Sequence, residues 1–209
     1  MVQIFSYLRH YQFEHGLRML EKGYTAARDA LQADIERTKA EAIAYEKHLA
    51  NGGEWIGEFE DGHILWEQSQ IYEAEINDVE LALLDVRKAF IIALYHYWEH
   101  SATAWKGSYG SHHELAQFCA SEGYGPSPEL DAVRYLANYL KHGPKSRTDW
   151  LDRLRRNYPT FMPKGPVEGL FGLSDESVFK VAAIIFASGP TTKEQMSPRN
   201  YQGAKGPTG

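Results

Sequence analysis

Residues 127–144 read SPELDAVRYLANYLKHGP, and this stretch decides the fold because it encodes one complete helix with a signal at each end. Ser127 can accept a hydrogen bond from a backbone N–H of the first turn, and Pro128 suits the first helical position. Gly143 permits the left-handed conformation that closes a helix, and Pro144 prevents its continuation. The stretch therefore predicts a helix of about four turns.

The two faces of this helix differ in chemistry. At roughly 100° per residue, one face collects apolar side chains and should pack in the core. Its members are Leu130, Val133, Leu136, Ala137 and Leu140. A sector roughly 100° wide collects polar side chains and is the first place to look for a functional site. Its members are Arg134, Asn138, Lys141, His142 and Asp131.

Two long amphipathic helices precede this stretch. Apolar residues recur at steps of three and four from Leu17 to Leu49, and a second run extends from about Glu67 to about Ala104. Between residues 81 and 98 the second run is apolar on nearly every side, as a helix surrounded by protein is. We therefore predict an antiparallel helical hairpin that projects from a core built around residues 81–98.

The segment between the two long helices breaks the helical period. The first helix ends at Asn51-Gly52-Gly53, and Asp61-Gly62 is a turn signal with aromatic and aliphatic residues on both sides. Either a small β-hairpin or an ordered loop satisfies this pattern.

The rest of the chain predicts short helices around the same core. Ser111 and Glu114 form a capping box that opens one helix, and Ser174 starts the last one. The fold class is therefore an all-α helical bundle with a long projecting antiparallel helical hairpin. We expect residues 1–80 to form the N-terminal region and the hairpin, residues 81–189 the helical core, and residues 190–209 a flexible tail.

The composition predicts a globular protein of a reducing compartment. The chain has 209 residues, and Cys119 is its only cysteine, which excludes an intramolecular disulfide and suits a buried core position. The N-terminus lacks the pattern of a signal peptide, and the longest apolar run, residues 89–95, is far shorter than the ~20 residues of a membrane span. We expect a cytoplasmic protein with no membrane partner.

Charge is distributed unevenly along the chain. The net charge of -6 argues against a protein that coats nucleic acid, yet residues 134–156 hold seven Lys or Arg against two acids. Aromatic residues are interleaved with these cations, as stacking surfaces for single-stranded bases would be. A basic segment that balances the acidic long helices explains the same asymmetry. The expected RNA-binding residues are Lys145, Arg147, Arg153, Arg155 and Arg156.

The chain has nine histidines, and two of them lie on one face of the second long helix. His96 and His100 are four residues apart with Glu99 beside them, a spacing that can begin a metal site. No further ligands follow at a recognisable spacing, so we expect neither a metal nor a cofactor. The alternative is a set of hydrogen-bonded polar groups where the buried helix emerges.

The polar sector of residues 127–144 suits cleavage of RNA. His142 could move the proton of the 2′-hydroxyl or of the leaving group, while Arg134 and Lys141 stabilise the phosphate charge. Such chemistry needs no metal. The alternative is structural, because the helix dipole favours cations in the last turn and Arg134 can pair with Asp131.

These residues carry a resemblance to a known family. A helix that holds Arg134 and ends Asn138-Tyr139-Leu140-Lys141-His142-Gly143, packed on a long helix that ends Tyr95-His96-Tyr97-Trp98-Glu99-His100, resembles the HEPN superfamily. The resemblance implies a bundle of four or five helices that forms a homodimer. The active members of that superfamily are metal-independent endoribonucleases of toxin–antitoxin and antiphage defence systems.

The resemblance also implies roles for single residues. Arg134 would bind phosphate, Asn138 would be the polar motif residue, and His142 would be the catalytic histidine. The spacing from Arg134 to His142 is wider than in the family motif, and Lys141 would supply the displaced charge. His96, Glu99 and His100 are expected to support these residues from a neighbouring helix.

Two hypotheses about function follow. The first is a HEPN-like endoribonuclease, a candidate toxin or antiviral defence protein, with RNA as substrate and an antitoxin or other protein as partner. The second is a non-catalytic helical module for binding or assembly, which docks a protein or RNA partner.

Overall fold

The computed structural model describes residues 2–143, 149–161 and 172–190, with residues 2–7 described through their backbone alone. Over these residues the chain forms six helices and one two-stranded antiparallel sheet. The all-α fold class is therefore confirmed. The elements in chain order are α1 (Val2–Ala50), β1 (Gly57–Glu60), β2 (His63–Glu67), α2 (Gln68–Lys106), α3 (His112–Ser121), α4 (Leu130–His142), α5 (Trp150–Asn157) and α6 (Asp175–Ala187).

Helices α1 and α2 form the predicted antiparallel hairpin. Aromatic contacts pair the start of α1 with the end of α2, as in Phe13–Tyr97, and the end of α1 with the start of α2, as in Tyr45–Tyr72. With 49 residues, α1 is about 70 Å long. It begins well before Leu17, because Phe13 is buried between Tyr97 and Trp105 and extends the apolar face toward the N-terminus.

A β-hairpin closes the far end of the two long helices, which decides between the two predicted alternatives. Asp61 and Gly62 have φ angles of 49° and 84°, the pair of positive values that a type I′ turn requires. Gly57 pairs with Glu67 and Glu60 with His63, with an irregularity in the register between Glu58 and Phe59.

The core gathers around Trp98, which is fully buried and donates its indole N–H to the Ser188 carbonyl at 2.8 Å. The first part of α1 belongs to this core, because Phe13 and Tyr24 are buried in the same cluster. The predicted boundary at residue 80 stays a prediction, and the predicted tail beyond residue 190 lies outside the described residues.

Helix α4 packs its predicted apolar face inward, with Val133 and Leu136 almost fully buried. The helix begins at Leu130, three residues after the predicted cap. Ser127 forms a turn instead, since its hydroxyl accepts from the Glu129 N–H and its own N–H donates to the Ser188 hydroxyl on the neighbouring α6 end. At the other end Gly143 has a φ of 68°, a value that favours glycine.

Two further sequence predictions hold. Ser111 and Glu114 form the capping box that opens α3. Cys119 is fully buried in the core, and this burial raises the pKa of its thiol to about 11. Among the described helices, none combines the length and the apolarity that crossing a membrane requires.

Candidate functional site

Arg134 lies where α4 meets α3 and α5. Its guanidinium sits 5.0 Å from the ring centre of Tyr135 and 6.0 Å from that of Trp150, so two aromatic faces hold it. Its Nε lies 3.5 Å from Asp131 Oδ1, close enough for an ion pair but without a hydrogen bond. A buried guanidinium N–H without an acceptor costs free energy, so this Nε–H is a donor left unsatisfied among the described residues.

The His112 side chain lies between Asp131 of α4 and Tyr95 of α2 and contacts both. Its Nε2 lies 3.1 Å from Asp131 Oδ1, and its Nδ1 lies 3.1 Å from the Tyr95 hydroxyl. Burial and the positive charge of Arg134 lower the pKa of His112 to about 4, although Asp131 and Glu99 act in the opposite direction. The ring is therefore neutral at pH 7. Because a carboxylate only accepts, Nε2 carries the hydrogen and Nδ1 accepts from the Tyr95 O–H.

Tyr95 also contacts Glu99, and its single hydroxyl hydrogen can serve either this carboxylate or His112 Nδ1 at one time. Its hydroxyl lies 3.4 Å from Glu99 Oε1, and the side chain is almost fully buried. Burial, and next the negative charge of Glu99, raise the pKa of Tyr95 well above its ordinary value. The phenol therefore stays protonated and serves as a hydrogen-bond donor at any pH near neutrality.

His96 lies between Glu99 and Lys141. The Nδ1 atom of His96 is 3.0 Å from Glu99 Oε2, and its Nε2 is 3.5 Å from Lys141 Nζ. A carboxylate only accepts and an ammonium only donates, so these contacts require the tautomer with its hydrogen on Nδ1 and its lone pair on Nε2. This orientation leaves a basic nitrogen beside a positive charge at a partly exposed position.

These contacts place seven polar groups in one series of close neighbours, which we name the polar chain. It runs across α2, α3 and α4 from a guanidinium to an ammonium. Two of the predicted site residues, Arg134 and Lys141, stand at its opposite ends. Its members in order are Arg134, Asp131, His112, Tyr95, Glu99, His96 and Lys141.

The other two predicted catalytic residues lie outside the polar chain. The Asn138 side-chain amide donates to the Arg134 carbonyl at 2.9 Å, a bond within α4 itself. His142 is exposed in the last turn, and no hydrogen bond or ion pair joins its ring to another residue in the part of the chain that the structure describes. Both residues keep their predicted roles as predictions.

The predicted RNA-binding residues divide into two groups. Arg153, Arg155 and Arg156 are exposed on α5, and Arg153 lies 5.8 Å from the ring centre of Trp150. Lys145 and Arg147 lie outside the described residues. Among the interleaved aromatic residues, Tyr135 is only 8% exposed, so its ring packs against the protein and is closed to a nucleic-acid base.

The His96 and His100 rings lie 6.2 Å apart between centres. His100 is exposed, whereas His96 is held by Glu99 and Lys141. Across residues 2–143, 149–161 and 172–190, no group of three or more His, Cys, Asp or Glu side chains could hold a metal ion.

The sequence does not predict three parts of the polar chain: a role for His112, the hydrogen bond of Tyr95 to it, and Asp131 as the partner of a histidine. In the sequence, Tyr95 belongs to the apolar run of α2, and His112 lies between the capping-box residues Ser111 and Glu114. Only the fold, in which α3 and α4 both pack on α2, brings them into contact. The one local signal for this contact is the position of His112 at the start of α3, directly after the cap residue Ser111.

Comparison with family models, with curated proteins and with solved structures finds no match for this chain. The resemblance to the HEPN superfamily thus rests on the motif residues, and it stays a prediction.

Proposed function

We propose that this chain is a HEPN-like, metal-independent endoribonuclease whose site lies where α2 meets the end of α4. The observation that carries the proposal is the contact of Lys141 with His96, whose ring is oriented by Glu99. An imidazole held by a carboxylate, with its lone pair facing a cation, is a combination suited to proton transfer near a phosphate. Lys141 directly precedes His142, the predicted catalytic histidine, in the sequence.

The proposed reaction is internal transfer at an RNA phosphodiester. Lys141 first turns from His96 Nε2 to the phosphate, which frees the Nε2 lone pair to take the 2′-hydroxyl proton. The 2′-oxygen attacks the adjacent phosphorus, and the bond from phosphorus to the 5′-oxygen breaks. His142 gives a proton to that leaving oxygen. The products are a 2′,3′-cyclic phosphate and a 5′-hydroxyl, and Lys141 stabilises the negative charge that builds on the phosphoryl oxygens.

Arg134 has a different place in this proposal. Its guanidinium stays the predicted phosphate ligand of the motif, and its Nε has no hydrogen-bond partner among the described residues. The exposed cations Arg153, Arg155 and Arg156 of α5 would guide the RNA backbone toward it. A homodimer that brings two copies of α4 together would bring Arg134 of one copy near His142 of the other, as the resemblance implies.

A test uses a fluorescent single-stranded RNA with the full chain in excess EDTA. We expect cleavage by the wild type and a loss of about 10²- to 10⁴-fold in rate for His142→Ala and for His96→Gln, the size of a lost acid or base. His113→Gln is the matched control, because His113 is exposed on α3 and outside the polar chain. Unchanged cleavage by both site variants would refute the proposal.

A second function has its own support. Arg134 is held by Trp150 and Tyr135 and pairs with Asp131, and none of these contacts involves His142. This arrangement suits a non-catalytic module that binds RNA or protein through the basic surface of α5. The same experiment separates the two functions, since a module of this kind would bind the RNA without shortening it.

A further inference from the structure

The β-hairpin at the far end of the two long helices exposes an unusual amount of apolar side chain. Phe59 is 62% exposed, Ile64 51%, Leu65 52% and Ile56 47%. Phe59 and Ile64 are paired across the two strands, so their side chains lie on the same face of the sheet. We name Ile56, Phe59, Ile64 and Leu65 the apolar tip. Exposed apolar side chains gathered on one hairpin mark an interaction surface.

The apolar tip is held in place by the chain beneath it. The Tyr45 hydroxyl accepts from the Ile56 N–H at 2.8 Å, which anchors the hairpin on α1. The indole of Trp55 donates to Glu67 and that of Trp66 donates to Glu58, so the strands are braced by their own side chains. A surface fixed in this way pays little conformational entropy when a partner binds.

The two strands also leave backbone groups available. The sheet has only the strands β1 and β2 within the described residues, so each has one edge without a neighbouring strand. An extended segment can add to such an edge through main-chain hydrogen bonds, while its alternate side chains meet the apolar face. A free strand edge and the apolar tip together form a surface that an extended peptide segment can bind.

Charge decides the nature of that segment. Residues 51–86, which include the hairpin and the adjoining half of α2, hold ten Asp or Glu and no Lys or Arg. A second copy of the tip, a nucleic acid or an anionic membrane would all bring like charge to this surface. A segment that alternates basic with apolar residues complements both its charge and its apolar groups.

We propose that the apolar tip and the free strand edges dock an extended, basic and apolar segment of another protein. This surface is independent of the ribonuclease site, because α2 separates the hairpin from His96 by about 40 Å. Docking at the tip therefore leaves the α2–α4 site open, and the long helices act as an arm that carries the partner away from it.

The test uses the full chain and a fluorescein-labelled ten-residue peptide that alternates lysine with valine and phenylalanine. We expect binding by fluorescence anisotropy that Phe59→Ser/Leu65→Ser weakens at least tenfold. Tyr109→Ser is the matched control, because Tyr109 is 94% exposed on the body of the protein, and it should bind as the wild type does.

The second part of the test exchanges acidic residues of the hairpin region for lysine. Glu54 and Glu60 are exposed and have no partner among the described contacts, so Glu54→Lys/Glu60→Lys should weaken the lysine peptide and strengthen a peptide with glutamate in place of lysine. Equal binding of the lysine peptide by wild type and Phe59→Ser/Leu65→Ser, or no binding at all, would overturn the proposal.

Two other outcomes would overturn the proposal as well. The first is self-association by sedimentation that Phe59→Ser/Leu65→Ser abolishes, which would make a second copy the occupant. The second is binding to vesicles of phosphatidylglycerol and phosphatidylcholine that the same variant abolishes, which would make the tip a membrane anchor. Neither assay depends on RNA cleavage, so failure of the ribonuclease proposal leaves this one standing.

Discussion

His112 should make the free energy of unfolding depend on pH between 7 and 5. Its pKa falls from an ordinary 6.5 to about 4 in the folded chain, chiefly because the ring is buried. Since the folded pKa is the lower one, the stabilisation is present above about pH 6.5 and is lost as the pH falls toward 4. At pH 5 the unfolded state prefers the proton by about 30-fold, which costs about 2 kcal/mol of stability.

The measurement is urea unfolding at pH 7, 6 and 5 of the wild type and of His112→Gln. The glutamine amide can still donate toward Asp131 but cannot take up a proton. We expect the variant to be less stable at pH 7 and to lose about 2 kcal/mol less than the wild type between pH 7 and 5. His113→Gln, an exposed neighbour, should follow the wild type. Parallel pH curves for wild type and His112→Gln would refute the assignment of a neutral buried imidazole.

Two further substitutions test the packing of the body. Asp175→Asn should destabilise the chain by about 1 to 2 kcal/mol in urea unfolding, because Asp175 accepts from the Tyr24 hydroxyl and from Arg87 and so ties α6 to α1 and α2. Asp29→Asn should change little because Asp29 is exposed and, among the described residues, pairs only with its neighbour Arg28, and an equal effect of both substitutions would contradict the role of Asp175. Leu136→Ala should cost about 2 to 5 kcal/mol because the side chain is almost fully buried, whereas Leu81→Ala, at 54% exposed, should cost under about 0.5 kcal/mol.

The sequence predicts the helices well because their signals are local. The apolar period of α1 and α2, the capping box of Ser111 and Glu114, and the closing glycine at Gly143 each depend on residues within a few positions of one another. The start of α4 differs from the prediction for the opposite reason. Ser127 is pinned by Ser188, a contact across 61 residues that no local pattern contains.

The site is harder to predict for the same physical reason. Helical period places Arg134 and Lys141 in one sector, but it does not tell which neighbouring helix each side chain meets. Trp150 of α5 and Asp131 hold Arg134, while Lys141 turns to His96 of α2. The polar chain arises from the packing of three helices, so the sequence alone does not predict which of its residues contact one another.

The end groups of cleaved RNA test the central claim most directly. Purified full chain is incubated with a defined single-stranded RNA in excess EDTA, and the products are analysed by mass spectrometry. We predict fragments that end in a 2′,3′-cyclic phosphate and begin with a 5′-hydroxyl, and we predict that His96→Gln/His142→Ala yields none. Intact RNA with the wild type, fragments that end in a 3′-hydroxyl, or equal yields from wild type and double variant would contradict a ribonuclease built on Lys141, His96 and His142.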